Sequence, residues 1–292
     1  MRQGAFILYD IFMGNIGVAG LLLIIANALF SYKGFKNHAF FDGYKFEIDP
    51  ILRQKDYKRL ITSGFLHVDW MHLLFNMFTL YSFSGAIEAA FGGWQMLIIY
   101  FASLIGGDLL ALFIHRHHSN YSAVGASGAV CGLIFAVIAL FPGGEIGMFG
   151  IRGIPNWLFG ILFVAGSIYG IKSKRDNIGH DAHLGGALVG MLVAIILHPE
   201  KLQGNLMPIL LITIPTILFI IIIATKPHLL YTENFFRKKA SSLQQNYNID
   251  QKFNADKNQR QQEIDRILDK INRTGAKSLS DKEKETLRDH AR

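Results

Sequence analysis

The chain has 292 residues, of which 51% are apolar and only 17% charged, and its formal net charge is +7. The charged residues concentrate in the C-terminal part, so the rest is more apolar than a soluble core requires. It suits helices that cross a membrane, each needing roughly 20 mostly apolar residues. The lysines and arginines lie in loops and in the tail, not on a basic, aromatic-bearing face. The sequence therefore lacks the signature of a nucleic-acid-binding module. It favours a lipid bilayer with anionic headgroups as the partner.

Seven apolar runs predict seven helices. In chain order they cover 12–30, 61–87, 94–114, 123–141, 156–171, 181–197 and 206–225. The polar, aromatic-rich stretch 31–58 separates the first two. Pro142 and Pro199 end the fourth and sixth runs, whereas Pro208 and Pro215 are tolerated inside a membrane helix. The fold class is therefore all-α, a polytopic membrane helix bundle of six core spans with a seventh span and a small helical tail.

Composition divides the chain into four parts: a six-span membrane domain at 1–200, a further transmembrane helix at 201–226, a polar linker at 227–257 and a soluble helical tail at 258–292. In the tail, Ser280 followed by Glu283 predicts a capping box. Apolar residues recur at helical spacing just before it, at Ile264, Ile267, Leu268 and Ile271. The pattern does not indicate a partner for the tail.

The second, fourth and sixth runs carry histidine, asparagine, serine and many glycines, while the first and last are aliphatic. Polar groups in a membrane face the bundle interior, and glycines let helix backbones approach. We therefore expect the second, fourth and sixth helices to form an inner layer and the first and last to face lipid.

Ser127 lies at the start of the fourth run, within Gly125-Ala126-Ser127-Gly128. A serine in a membrane helix is ordinarily a packing residue. Here the missing Cβ atoms of Gly125 and Gly128 leave room for a substrate backbone, and a helix start exposes N–H groups that can hold an oxyanion. Ser127 is therefore a candidate nucleophile.

A serine nucleophile needs a base, and His183 in the sixth run is the candidate. Gly186 and Gly190 form a small-xxx-small pair that predicts close packing against the fourth helix, which would bring His183 near Ser127. The alternative is a histidine bonded to a neighbouring helix. His180 and Asp181 lie nearer the loop, and we expect them to form a hydrated helix end.

His72 and Asn76 are four residues apart in the second run, so both face one side of a helix. Both donate hydrogen bonds and, with the Ser127 N–H, would stabilise the oxyanion of a tetrahedral intermediate. The alternative is that they bond neighbouring helices. His67, near the entry of this run, is interpreted as shaping the loop.

Three segments together resemble the signatures of rhomboid proteases: 64–76 (GFLHVDWMHLLFN), 125–130 (GASGAV) and 182–186 (AHLGG), in the order that the family has. The resemblance covers about residues 10–200. It implies an intramembrane serine endopeptidase that cleaves single-span transmembrane substrates near the membrane boundary, without metal or cofactor.

By this resemblance Ser127 is the nucleophile, His183 the base, and His72, Asn76 and the Ser127 N–H form the oxyanion site. Arg59 and Glu88 match structural positions of the family, as do the close-packing glycines. Stretch 31–58 would be a membrane-embedded first loop and the fifth helix a mobile wall where substrate enters. We expect a multi-pass protein of a bacterial plasma membrane.

Two positions depart from the family pattern. Cys131 stands four residues after Ser127, where the family commonly has an aromatic that stacks on the base histidine, so His183 is expected to be held less firmly. Lys58 precedes Arg59 where some members have tryptophan.

The orientation stays open, because the family topology places the N-terminus in the cytoplasm and the tail outside. The positive-inside rule favours the reverse. The basic residues that this rule counts are concentrated in the first loop, at Lys33, Lys36, Lys45, Arg53, Lys55, Lys58 and Arg59.

Two other functions are consistent with parts of the pattern. One is a catalytically silent relative that binds or escorts membrane proteins, although such relatives usually lack the serine or the histidine. The other is metal transport, suggested by His115, His117 and His118 in the third loop, for which a headgroup-facing loop is the simpler interpretation.

Overall fold

The computed structural model describes residues 16–119, 121–141, 143–146, 153–173 and 178–225, and five positions of the tail at 267, 270, 279, 280 and 283. The predicted start of the first span at residue 12 and most of the predicted tail lie outside the described residues. The chain divides into two compact units, Met1–Glu233 and Asn234–Arg292.

The first unit is a helical bundle in which a long helix corresponds to each of the seven apolar runs. The long helices are α1 (Val18–Lys36), α5 (Trp70–Phe91), α6 (Gly93–His115), α7 (Ser127–Leu140), α8 (Asn156–Ser173), α9 (His180–Leu197) and α10 (Leu202–Thr225). The short helices are α2 (His38–Tyr44), α3 (Ile48–Leu52) and α4 (Arg59–Thr62), with 3-10 turns at Ser63–Phe65 and Pro199–Lys201.

The described residues contain two small antiparallel pairings. Strand β1 (Phe46–Glu47) pairs with β2 (Ser122–Ala123), in the register Phe46 to Ala123. Strand β3 (Glu145–Ile146) pairs with β4 (Ile154–Pro155). The first pairing ties the loop after α1 to the segment that leads into α7.

Four of the described helices are long and apolar enough to cross a membrane: Val18–Lys36, Gly93–His115, His180–Leu197 and Pro199–Ile223. Helices α7 and α8 are apolar but shorter. The outer helices expose large apolar side chains, among them Val18 and Leu29 on α1 and Met207 on α10. Such surfaces are expected of helices that face hydrocarbon. The first unit is thus a helical membrane bundle.

The predicted second span is wrong at its start, because α5 begins at Trp70 and not near residue 61. The side chain of Asp69 accepts a hydrogen bond from the His72 N–H at 2.7 Å and so caps this helix. The apolar residues before it belong instead to α4, which packs against α6, and to the 3-10 turn Ser63–Phe65.

The inner layer differs from the prediction, since α7 packs most extensively against α9 and α6, and α6 also packs against α9. Residues 128–140 of α7 are all buried. Gly106 and Gly107 allow α6 into this layer: a Cβ at Gly107 would lie 2.5 Å from the Ala182 carbonyl oxygen of α9. Helix α5, expected inside, exposes several large side chains to the outside, among them Trp70, Leu74 and Phe75.

Helix α7 ends inside the bundle, where its last carbonyl groups need partners. The Asn205 amide nitrogen on α10 donates to the carbonyl oxygens of Ile138 and Ala139, both at 2.8 Å. The Asn156 amide nitrogen on α8 donates to the Phe141 carbonyl oxygen at 2.8 Å. Two asparagines of later helices therefore anchor the C-terminal end of the helix that begins at Ser127.

In the second unit, the Ser280 N–H donates to Glu283 Oε2 at 2.8 Å, and the Glu283 N–H donates to Ser280 Oγ at 3.3 Å. The predicted capping box is confirmed. Hydrogen bonds lower the pKa of Glu283 to about 2. The largest effect comes from the Lys270 ammonium and the next largest from the Ser280 N–H. Ile267 is buried, as its helical spacing predicts, and the other three apolar positions lie outside the described residues.

Candidate active site

Ser127 is the first residue of α7 and is half-buried. The loop before it turns at Gly125, whose φ of +127° is a conformation that residues with a Cβ rarely adopt. The Gly125 N–H donates to the Ser63 carbonyl oxygen at 3.0 Å. Because Ser127 is the first residue of the helix, its N–H is among the amides that have no acceptor within the helix.

His183 lies on α9, and its Nε2 is 2.7 Å from Ser127 Oγ. This distance is within the range for a nucleophile bonded to its base. The approach depends on glycine, since a Cβ at Gly186 would overlap the Gly128 carbonyl oxygen and one at Gly190 would overlap the backbone of Gly132. Helix α9 therefore meets α7 backbone to backbone, which is the packing that the glycine spacing predicts.

The His72 ring, on the first turn of α5, lies against Gly125. A Cβ placed on Gly125 would be 2.7 Å from His72 Cε1, 2.8 Å from His72 Nε2 and 3.7 Å from Ser127 Oγ. The imidazole and the serine hydroxyl thus flank the same glycine. A side chain at position 125 would fill the space between them.

The proton of His72 can be assigned from burial. Its Nδ1 is buried and has no hydrogen-bond partner in the described structure. A buried N–H donor without an acceptor is the rarer and costlier arrangement, so we assign the proton to Nε2. The assignment gives His72 an N–H donor on the side of Gly125 and Ser127.

Asn76 is buried one turn further along α5. Its amide nitrogen donates to the His72 carbonyl oxygen at 3.0 Å. This bond ties Asn76 to the turn that carries His72 and leaves the amide a second N–H to donate.

The two charged residues predicted to be structural, Arg59 and Glu88, both bond backbone groups. The Arg59 guanidinium donates to the carbonyl oxygens of Asp42 and Lys45 at 2.8 Å and to Asp56 Oδ2 at 2.9 Å. These hydrogen bonds hold together the loop between α1 and α5. The Glu88 carboxylate accepts the N–H groups of Ala19 and Gly20, at 3.0 and 3.1 Å, at the start of α1.

Asp181 does not form the hydrated helix end that we expected. Only 4% of it is exposed. Its Oδ2 lies 2.7 Å from His115 Nε2, and the Tyr121 hydroxyl donates to Oδ1 at 3.4 Å. The rings of His115 and Tyr121 stack at 3.6 Å. The pairing was missed because its partners lie sixty or more positions earlier in the chain.

Sequence reasoning also missed the neighbour of the base. Cys131 is buried in α7, and His183 lies beside the ring of His180, with centroids 6.1 Å apart and planes at 76°. His180 in turn packs on Gly170 of α8. The spacing of three residues on one helix face was the signal that could have revealed this contact.

No group of three or more histidine, cysteine, aspartate or glutamate side chains is arranged to hold a metal ion within the described ranges. The chemistry that the assembled groups can perform is nucleophilic attack on a carbonyl: a hydroxyl bonded to an imidazole, with N–H donors beside it.

Comparison with protein families gives two matches. The Rhomboid domain model matches residues 54–200, which contain all the site residues above. A second model, described as a family of unknown function (DUF6576), matches residues 247–292 and so covers the tail.

Individual relatives agree with the first match. RHOMBOID-like protein 12, mitochondrial, of Arabidopsis thaliana is 29% identical over 60% of this chain and 56% of its own length. Rhomboid protein 1, mitochondrial, of Saccharomyces cerevisiae is 31% identical over 49% of this chain and 43% of its own length. Rhomboid protease GluP of Bacillus subtilis is 31% identical over 52% of this chain and 28% of its own length.

The chain spans about half the length of the curated relatives that it matches first. These relatives belong to mitochondria and a chloroplast as well as to a bacterium. With the apolar helices they support an integral membrane protein, but they give no support to the bacterial plasma membrane in particular.

Proposed function

The chain belongs to the rhomboid family, and from this premise we propose that it is an intramembrane serine endopeptidase that cleaves single-span transmembrane proteins near the membrane boundary. The observation that supports this most is the 2.7 Å distance between Ser127 Oγ and His183 Nε2. The printed name of one relative, Rhomboid protease GluP, is in keeping with the proposal.

In the proposed reaction, His183 Nε2 takes the Ser127 proton as Oγ attacks the carbonyl carbon of the scissile peptide bond. The resulting imidazolium gives this proton to the leaving amine, and an ester of Ser127 remains. His183 then takes a proton from water, which attacks the ester, and the serine is restored. Both partners are half-buried, so attacking water needs a route to them from one face of the bundle.

The tetrahedral intermediate carries a negative oxygen, for which we propose three donors: the Ser127 N–H, His72 Nε2–H and the Asn76 amide. The position of the His72 ring beside Gly125 and Ser127 supports its part in this set. In a soluble serine protease, loss of one such donor raises the barrier by about 2.7–4 kcal/mol.

The proposal is tested by reconstituting the full chain in liposomes with a single-span substrate and measuring cleavage. We expect wild type to cleave, and Ser127→Ala and His183→Ala to be inactive although folded. Cleavage by Ser127→Ala at the wild-type rate would refute it. A folded wild type that binds the substrate but never cleaves would favour the silent binder.

A further inference from the structure

His67 lies in the loop between the 3-10 turn Ser63–Phe65 and α5, and none of its surface is exposed. Each ring nitrogen has a partner. Nδ1 is 2.8 Å from Ser31 Oγ on α1, and Nε2 is 3.4 Å from the backbone nitrogen of Ala126, the residue before Ser127. The ring therefore connects α1 with the loop that carries Ser127.

The proton of His67 follows from its neighbours. The Ser31 hydroxyl has one proton, which it donates to the Phe65 carbonyl oxygen at 2.9 Å. Ser31 Oγ can then only accept from His67, so Nδ1 carries the ring proton and Nε2 is an acceptor. Nε2 is thus able to accept the Ala126 N–H.

The surroundings of His67 favour its neutral state over the protonated one. Burial, and next the neighbouring His72, lower the pKa of His67 to about 3. A protonated ring would turn Nε2 into a donor facing the Ala126 N–H, which is also a donor. The hydrogen bond to the loop therefore exists only with the neutral ring.

The segment 63–67 holds two successive amides of the loop. The Gly125 N–H donates to Ser63 and the Ala126 N–H to His67. The next amide is that of Ser127. The His67 ring also meets the His72 ring edge-on, with centroids 4.9 Å apart and planes at 72°. His67 thus contacts both sides of the place where the oxyanion would form.

We propose that His67 is a positioning residue of the oxyanion site: as a neutral acceptor it orients the loop amides so that the Ser127 N–H and the His72 ring point at the same oxygen. Ser31 sets the tautomer that makes this possible. The inference rests on the proposed peptidase function and adds a residue that never touches the substrate.

The catalytic test compares His67→Ala, His67→Gln and Ser31→Ala in the full chain. We expect His67→Ala to lower kcat by about 10- to 100-fold with KM within about twofold, because misdirected donors affect the transition state more than the bound substrate. His67→Gln, whose amide oxygen can accept from Ala126, should recover part of kcat. Ser31→Ala should lower kcat less, and Ser31→Ala/His67→Ala should be no worse than His67→Ala.

A peptide aldehyde, whose adduct with Ser127 has a tetrahedral oxyanion, gives a second readout. Its inhibition constant should rise by the same factor as kcat/KM falls. His198→Gln is the matched control, since His198 bonds Gln95 and lies at the other end of α9. It should leave kcat and aldehyde inhibition unchanged.

Nitrogen-15 NMR of histidine-labelled protein tests the tautomer without any activity. The signals lost in His67→Gln should be those of a neutral ring with its proton on Nδ1. A proton on Nε2, or a kcat of His67→Ala equal to wild type, would overturn the proposal even if Ser127→Ala is inactive. If His67→Ala does not fold, His67→Gln and Ser31→Ala test the proposal in its place. A kcat equal to that of wild type in both variants would overturn the proposal. If wild type does not cleave, the failure belongs to the peptidase function, and the positioning role is overturned with it.

Discussion

Gly186 of α9 lies directly against the carbonyl of Gly128 on α7, so closely that a methyl group on Gly186 would overlap that oxygen. The two helices that carry His183 and Ser127 meet at this point. Their separation is set by backbone atoms, which cannot rotate away as a side chain could. The distance between base and nucleophile therefore depends on a glycine one turn beyond the base.

Gly186→Ala is expected to separate α9 from α7 and to lower cleavage by about 100-fold, since a displacement of about 1 Å at a reacting group has that effect. Thermal stability should fall as well, because overpacking costs about 1–3 kcal/mol. Gly166→Ala on α8 is the control, as no atom in the described part of the chain lies within 4 Å of a Cβ there. Equal activity of the two variants would contradict the close-packing explanation.

Gly125→Ala should remove activity through two effects. The φ of +127° strains any residue with a Cβ, and the added methyl group would meet the His72 ring at 2.7 Å. We expect a stability loss of about 1–3 kcal/mol and little remaining cleavage.

Gly92→Ala separates these two effects. Its φ of +88° would also strain a residue with a Cβ, but no atom of the described residues lies within 4 Å of the position that a Cβ would take. It should lose stability and keep the kcat of wild type. If Gly92→Ala were as inactive as Gly125→Ala, strain and not the His72 contact would explain the loss.

Asn205→Leu should destabilise the bundle by about 1–3 kcal/mol, because two buried carbonyl groups at the end of α7 lose their donor. The dyad lies at the other end of α7, so kcat at low temperature should change little. Thermal unfolding in detergent and cleavage rates measure the two effects. Thr216→Val on the same helix is the control, since this buried hydroxyl donates to the Ile212 carbonyl oxygen of its own helix at 2.7 Å. A stability equal to that of Thr216→Val would contradict the anchoring role of Asn205.

The buried His67 predicts how stability depends on pH. Its pKa in the folded chain is about 3, below the ordinary 6.5. The unfolded chain therefore binds the extra proton, so the contribution of the neutral ring is complete above pH 6.5 and is lost as the pH falls toward 3. At pH 4.5 wild type should have lost about 2–3 kcal/mol more than His67→Gln, relative to pH 7.5. Parallel stability profiles of the two proteins would contradict a neutral buried His67.

The helices and the meeting of α7 with α9 could be predicted, because apolar runs and glycine spacing are local patterns. Gly106 and Gly107 are a local pattern of the same kind for the central position of α6, since both lie against α9. The beginning of α5 was misplaced because hydropathy cannot separate a membrane helix from the short apolar α4 before it.

What could not be predicted depends on partners distant in the chain. Asp181 is buried because His115 and Tyr121 reach it, and no local pattern reports such a contact. His67 acquires its role from Ser31 and Ala126, which lie 36 and 59 positions away. Sequence alone predicts that polar side chains at a helix end are hydrated, because it does not show which distant residues pack against them.

Labelling with a fluorophosphonate probe tests the Ser127–His183 dyad most directly, because it needs an activated serine but no knowledge of the substrate. Purified wild type should be labelled at Ser127, Ser127→Ala should remain unlabelled, and His183→Ala should react far more slowly than wild type. Labelling of Ser127→Ala at the wild-type rate, or a folded wild type that stays unlabelled, would contradict the dyad.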